Sequence, residues 1–141
     1  MTEVMVKEDL EIAAEKAWEL VRDFGGIRRW VGEMVQGLEL EGEGVGAIRT
    51  ISLPGGIKLY EQLEAIDQEA RSFSYAIIRK SPLPVTDYLA TLTLFETGAD
   101  SCRIEWGSTF EPAGISEADA VPMIEGIYNS GIAGLKEALG I

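Results

Sequence analysis

Six short segments between residues 34 and 110 follow one another with no helical pattern between them and read as strands; 34–41 and 58–66 alternate apolar and polar side chains, and 72–78 is dense in aromatic and β-branched residues. They are 34–41, 47–53, 58–66, 72–78, 88–95 and 102–110. A period of two residues is the signature of a strand with one buried face. The separators carry turn chemistry: glycines at 42, 44 and 46, then Pro54-Gly55-Gly56, Asp67-Gln68-Glu69, Ser81-Pro82-Leu83-Pro84, and Thr97 to Asp100. Connections this short join neighbouring strands antiparallel. A further alternating segment at 4–10 predicts seven strands in all.

The remaining sequence is helical. Ala14, Ala17, Trp18, Val21 and Phe24 lie on one face of a helix that Gly25-Gly26 is expected to end, and residues 27–31 make one more turn around Trp30. After Pro112, the stripe Ile124, Ile127, Tyr128, Gly131, Leu135 and Leu139 predicts a long helix over 116–139, about 36 Å at ~1.5 Å per residue. Ser116 with Asp119 suits its N-terminus, and Pro122 predicts a kink or an irregular first turn. Strands segregated from helices indicate an α+β domain spanning 1–141. One long amphipathic helix buries its stripe only against the concave face of the sheet. A curved sheet and a straight helix do not touch along their whole length, and the gap between them is a natural small-molecule cavity.

Composition limits the chemistry. With 12 Lys and Arg against 24 Asp and Glu, the formal charge of −12 argues against nucleic acid and anionic membrane as partners. The chain has no histidine and one cysteine, Cys102. Those counts exclude a Ser–His–Asp triad, a Cys–His dyad, histidine-ligated metal and an internal disulfide. No nucleotide or metal motif is present, so no cofactor or metal is expected. The N-terminus lacks the pattern of a signal peptide, no segment is long enough to insert in a membrane, and the expected compartment is the cytoplasm.

The order of elements, together with particular residues, is similar to a known superfamily. Those residues are 17–26 (AWELVRDFGG), 44–50 (GVGAIRT), 61–64 (EQLE), 81–88 (SPLPVTDY), 104–106 (IEW) and 126–128 (GIY). The chain resembles the helix-grip superfamily of START domains, the major birch-pollen allergen and plant abscisic-acid receptors. Within it the chain most resembles the bacterial polyketide cyclase/dehydrase branch. The resemblance implies a seven-stranded curved antiparallel sheet wrapped around a long C-terminal helix, with two short helices after strand 1. It implies gate loops at Leu53, Pro54 and Gly55 and at Pro82, Leu83 and Pro84, for which the ordinary reading is two surface turns. The plant receptors' hormone-anchoring lysine has no counterpart in Gly32-Glu33-Met34, which argues against recognition of that hormone.

Candidate ligand-binding residues follow from strand parity and from the resemblance. Glu61 interrupts an apolar face of Ile57, Leu59, Leu63 and Ala65, and the resemblance also places a pocket glutamate there. Tyr88 shares a face with Ala90, Leu92 and Leu94, and Tyr75 with Ile77. On the last helix Met123, Ile127 and Gly131 are spaced by four, beside Tyr128, and Gly131 leaves room for a ligand. Glu105 is contested. Parity points Ile104, Trp106 and Phe110 inward and Glu105 outward, whereas the resemblance turns Glu105 inward; a β-bulge near Gly107 would reconcile the two, and Glu105 is taken as inward on that basis. Arg28, Arg29 and Trp30 are either a head-group contact at the cavity mouth or surface charge with Trp30 packed beneath.

Three functions follow. The first is a carrier or sensor for a small, largely apolar ligand such as a lipid, polyketide, quinone or aromatic metabolite. The second is a cyclase or dehydratase using Glu61 and Glu105 as acid and base with Tyr88 as proton donor. The third is an accessory interaction protein or homodimer with an outward Trp106 as anchor.

Overall fold

The structure is a computed structural model that describes residues 1–32 and 35–141. The chain runs β1 (Thr2–Leu10), α1 (Ala14–Val21), a 3-10 turn (Phe24–Gly26), α2 (Arg28–Val31), β2 (Gly37–Glu41), β3 (Ile48–Leu53), a second 3-10 turn (Pro54–Gly56), β4 (Ile57–Asp67), β5 (Ser72–Ile78), β6 (Val85–Gly98), β7 (Ser101–Pro112) and α3 (Glu117–Leu139). The seven strands form one antiparallel sheet in the order β1-β7-β6-β5-β4-β3-β2. This is the expected helix-grip arrangement. Met34, expected to begin the second strand, lies outside the described residues.

One helix boundary differs from expectation. The first helix stops at Val21, before its glycines, because Asp23 turns extended (φ −77°, ψ 97°) and starts a separate 3-10 turn. The last helix runs from Glu117 to Leu139 and carries Pro122 in its second turn. It begins on Ser116, whose hydroxyl accepts from the Asp119 amide at 3.2 Å, and ends on Gly140 at φ +73°.

Two bulges set which side chains face the core. In β4 the register with β5 slips between Leu63 and Ala65, so the inward row passes from Leu63 to Ile66 and Ala65 is exposed, against its expected place beside Glu61. In β6 the register with β7 slips between Thr86 and Leu89, and Asp87 takes φ +54°. Val85 and Tyr88, an odd number of residues apart, therefore both point inward. α3 packs Ala120, Ile124, Tyr128, Gly131, Ile132 and Leu135 against β1, β7 and α2. Among the described residues no helix is long and apolar enough to cross a membrane.

Candidate functional site

β7 decides the contested parity. Cys102, Ile104, Trp106, Ser108 and Phe110 form one unbroken buried row, and the pairing with β1 is continuous from Thr2 opposite Phe110 to Leu10 opposite Cys102. There is no bulge near Gly107. That glycine admits a close approach, since a Cβ there would come within 2.7 Å of Met5 Cε and of the Val4 carbonyl oxygen. Glu105 therefore lies on the outer face, paired with Arg103 Nε at 2.9 Å, and not in the interior. Trp106 is the inward residue, only 4% exposed, so it is not an outer-face anchor.

Trp106 organises the space between sheet and helix. Its ring stacks on Tyr128 of α3 with centroids 4.7 Å apart and meets the Trp30 edge at 5.7 Å. Its indole donates to the Tyr75 hydroxyl at 3.1 Å. Such pairs contribute about 0.5–1.5 kcal/mol each beyond area burial. The room expected at Gly131 is taken: a Cβ there would stand 2.6 Å from the Trp106 ring. Tyr75 packs on Tyr88, and the Tyr88 and Tyr128 hydroxyls are hydrogen-bonded to one another, tying β6 to α3. Ala90 is fully buried in the same wall. Beside these groups the Ser108 hydroxyl makes no well-formed bond, and the Trp30 indole N–H is buried with no partner among the described residues. Trp30 is thus core rather than mouth, while Arg29 pairs outside with Asp23 at 2.7 Å.

Glu61 is buried and inward, and its carboxylate is committed. Arg49, directly across on β3, places Nε and Nη2 each 2.8 Å from Glu61 Oε1. Arg49 also donates Nη1 to the Phe24 carbonyl at 3.1 Å and lies over the Phe24 and Tyr75 rings at 4.0 and 5.1 Å. Sequence reasoning missed Arg49. The available signal was its parity: it shares the inward face of β3 with Ile51, just as Glu61 shares that of β4 with Leu59 and Leu63.

The phenols are held protonated. Burial, then the Tyr128 and Glu61 charges, pushes Tyr75 well above the usual tyrosine value. Burial and the neighbouring phenols do the same for Tyr88, and burial pushes Tyr128 up to about 12. An acid whose value is raised by folding contributes stability that is complete below its unfolded value and lost as pH rises toward its folded one. Stability is therefore expected to fall as pH rises above ~10, where unfolded tyrosine ionises. Phenolate absorbance followed alongside circular dichroism checks this. Ionisation of Tyr75, Tyr88 and Tyr128 should appear together with unfolding, and full ionisation of a still-folded protein would contradict it.

An open cleft of about 480 Å³ reaches this wall from outside. Ile77, Val85 and Tyr88 line it from the sheet, Pro82, Leu83 and Pro84 from the loop above, and Ala113 from the far rim. The loop is bracketed by Arg79 at φ +62° and Asp87 at φ +54°, left-handed conformations uncommon for these residues. Leu53, Pro54 and Gly55 sit at the same end of the sheet but are not among the lining residues. Met123 and Ile127 are each 40% exposed and do not line the cleft either. A second open cleft of about 340 Å³ lies at the opposite end, around Phe24, Leu40, Ala47 and Leu63. Among the described residues, no three His, Cys, Asp or Glu side chains gather as a metal would require.

A family model described as polyketide cyclase / dehydrase and lipid transport matches residues 1–140. The chain belongs to this family. None of the curated proteins matches the sequence. Among solved structures, this family member is similar to the protein XoxI from Bacillus cereus, at 28% identity and a TM-score of 0.89, over 98% of this chain and 95% of that one. An uncharacterized protein from Bacillus thuringiensis is also 28% identical, with a TM-score of 0.88 over 97% and 98% of the two chains. Norcoclaurine synthase from Thalictrum flavum, solved in complex with dopamine and hydroxybenzaldehyde, shares the fold at 20% identity and a TM-score of 0.77, over 98% and 86%.

Proposed function

We propose that this polyketide cyclase/dehydrase-family protein binds a small, largely apolar ligand between its sheet and α3, admitted through the cleft under loop 79–84. The observation that carries this reading is the cleft's floor. Ile77, Val85 and Tyr88 present an apolar surface that ends on the Tyr88–Tyr128 hydrogen bond between a sheet strand and the long helix. Ligand hydrocarbon replaces solvent on that floor, at about 25 cal/mol per Å² of apolar area removed from water. The Pro-rich loop, hinged at two left-handed residues, is the part best placed to close over it.

The catalytic alternative loses its pair of carboxylates. Glu61 faces in against Arg49 and Glu105 faces out against Arg103, so one substrate cannot meet both. Binding without turnover is the reading that needs no further group.

A neutral fluorescent probe, N-phenyl-1-naphthylamine, tests it. The wild type should give a saturable enhancement at one site per chain. Ala113→Trp, which fills the cleft from an exposed rim position, should weaken binding at least tenfold while leaving the unfolding midpoint unchanged. An unsaturable signal, or equal binding by the two proteins, would count against it.

A further inference from the structure

One indole N–H in the interior is left without an acceptor among the described residues. Of the three indoles in the chain, Trp18 Nε1 donates to Gln68 Oε1 at 2.8 Å and Trp106 Nε1 to the Tyr75 hydroxyl, whereas Trp30 Nε1 has no partner among the described residues although Trp30 is only 3% exposed. An indole N–H accepts nothing and has one proton to place. The inward carboxylate, Glu61, is taken by Arg49, and Glu105 is on the other face of the sheet. The Tyr75, Tyr88 and Tyr128 phenols stay protonated, each a donor as well as an acceptor; Tyr75 already accepts from Trp106 and the other two bond to one another, which leaves the Ser108 hydroxyl as the other buried group without a well-formed bond. A buried donor left unpaired is costly, and a ligand with an acceptor removes that cost.

The unpaired group is also connected to the cleft. Trp30 meets Trp106, Trp106 stacks on Tyr128, the Tyr128 hydroxyl bonds to that of Tyr88, and Tyr88 lines the cleft. Parting the two tyrosines would open the cleft onto Trp106, whose ring Trp30 meets. Resting on the binding reading above, we infer that Trp30 Nε1–H is the anchoring donor for a neutral carbonyl oxygen carried on an apolar frame.

The class is narrowed by charge and proton count. Among the described residues an ammonium finds no uncommitted carboxylate inside. A carboxylate meets the field of Glu61, which already disfavours charge on all three phenols. An alcohol brings a second proton that itself needs an acceptor. A ketone, quinone or ester oxygen brings none.

Four probes of one shape separate these cases: 2-acetylnaphthalene, 2-isopropylnaphthalene, 2-naphthoate and 2-naphthylmethylammonium. Each is titrated into the full chain while the three indole N–H signals are followed by nitrogen–proton correlation spectra. Trp30→Phe, which keeps an aromatic ring but removes the donor, assigns its signal. The ketone is expected to bind about five- to tenfold more tightly than the hydrocarbon, the gain of one buried hydrogen bond. Its binding should move the Trp30 indole signal downfield, and both ions should bind more weakly than the ketone. In Trp30→Phe the preference for ketone over hydrocarbon should vanish. Equal affinity of ketone and hydrocarbon for the wild type overturns the inference while leaving the binding reading standing, and so does a ketone preference that survives in Trp30→Phe. Failure of all four probes to bind overturns the binding reading and this inference with it.

Discussion

Arg49→Met is expected to lower folding stability by about 3–5 kcal/mol, because it strands the Glu61 carboxylate in the core without its cation. Both side chains are nearly inaccessible, at 2% and 8% of their free exposure, so solvent cannot take over from the lost partner. Methionine keeps the alkyl packing over Phe24 and Tyr75 and isolates the electrostatic loss. Glu61→Leu leaves the opposite charge buried and should cost a similar amount. The double variant Arg49→Met/Glu61→Leu buries no charge and should recover most of the loss, since well-packed apolar replacements of buried pairs are often neutral or better. Denaturant unfolding of the four proteins measures the coupling. In thermal unfolding the single variants should melt roughly 10–15 °C lower. Single variants within about 1 kcal/mol of wild type, or losses that simply add in the double variant, would contradict the pair's place in the core.

Gly134→Ala is the second large effect, with a sign opposite to helix propensity. In a solvent-facing helix interior, alanine in place of glycine stabilises by about 1 kcal/mol. Here a Cβ would run into the Trp30 carbonyl oxygen and lie 3.3 Å from its carbon. The obstacle is backbone, so it cannot rotate away as a side chain would. Accommodation requires α3 to lift off α2, and overpacking of this kind costs about 1–3 kcal/mol. Thermal unfolding should show the alanine variant melting lower. A variant as stable as wild type would mean that the α2–α3 contact is looser than described.

These two sites mark what was legible in the sequence. Strand number, antiparallel pairing and the long C-terminal helix follow from alternation, turn residues and one apolar stripe, all local properties. The inward positions of Glu61, Tyr75 and Tyr88 follow from the same parity. Parity also placed Trp106 inward and Glu105 outward, and the structure agrees with it against the family likeness. Three features were not legible. The bulges at Leu63/Ala65 and Thr86/Leu89 come from pairing between strands, and neither Glu64 nor Asp87 carries the glycine that announces such a site. The close packing at Gly131 and Gly134 depends on which side chain arrives from elsewhere in the chain. Ile127 belongs to the predicted stripe and Met123 to its i+4 series, yet both are exposed, because α3 turns its buried face toward Ala120, Ile124 and Tyr128. Arg49 was legible in principle: an inward charge on each of two adjacent strands, with opposite signs, is a pair once the register is known.

The central claim is that ligands enter at the Tyr88 end and rest against the sheet–helix wall. Mapping backbone amide shifts during titration with 2-acetylnaphthalene tests it most directly. The account predicts saturable shifts concentrated at Ile77, Leu83, Val85, Tyr88, Ala113 and Tyr128. Shifts centred on the outer-face residues Met5, Leu89 and Phe95, or on the opposite cleft around Phe24, Ala47 and Leu63, would contradict it.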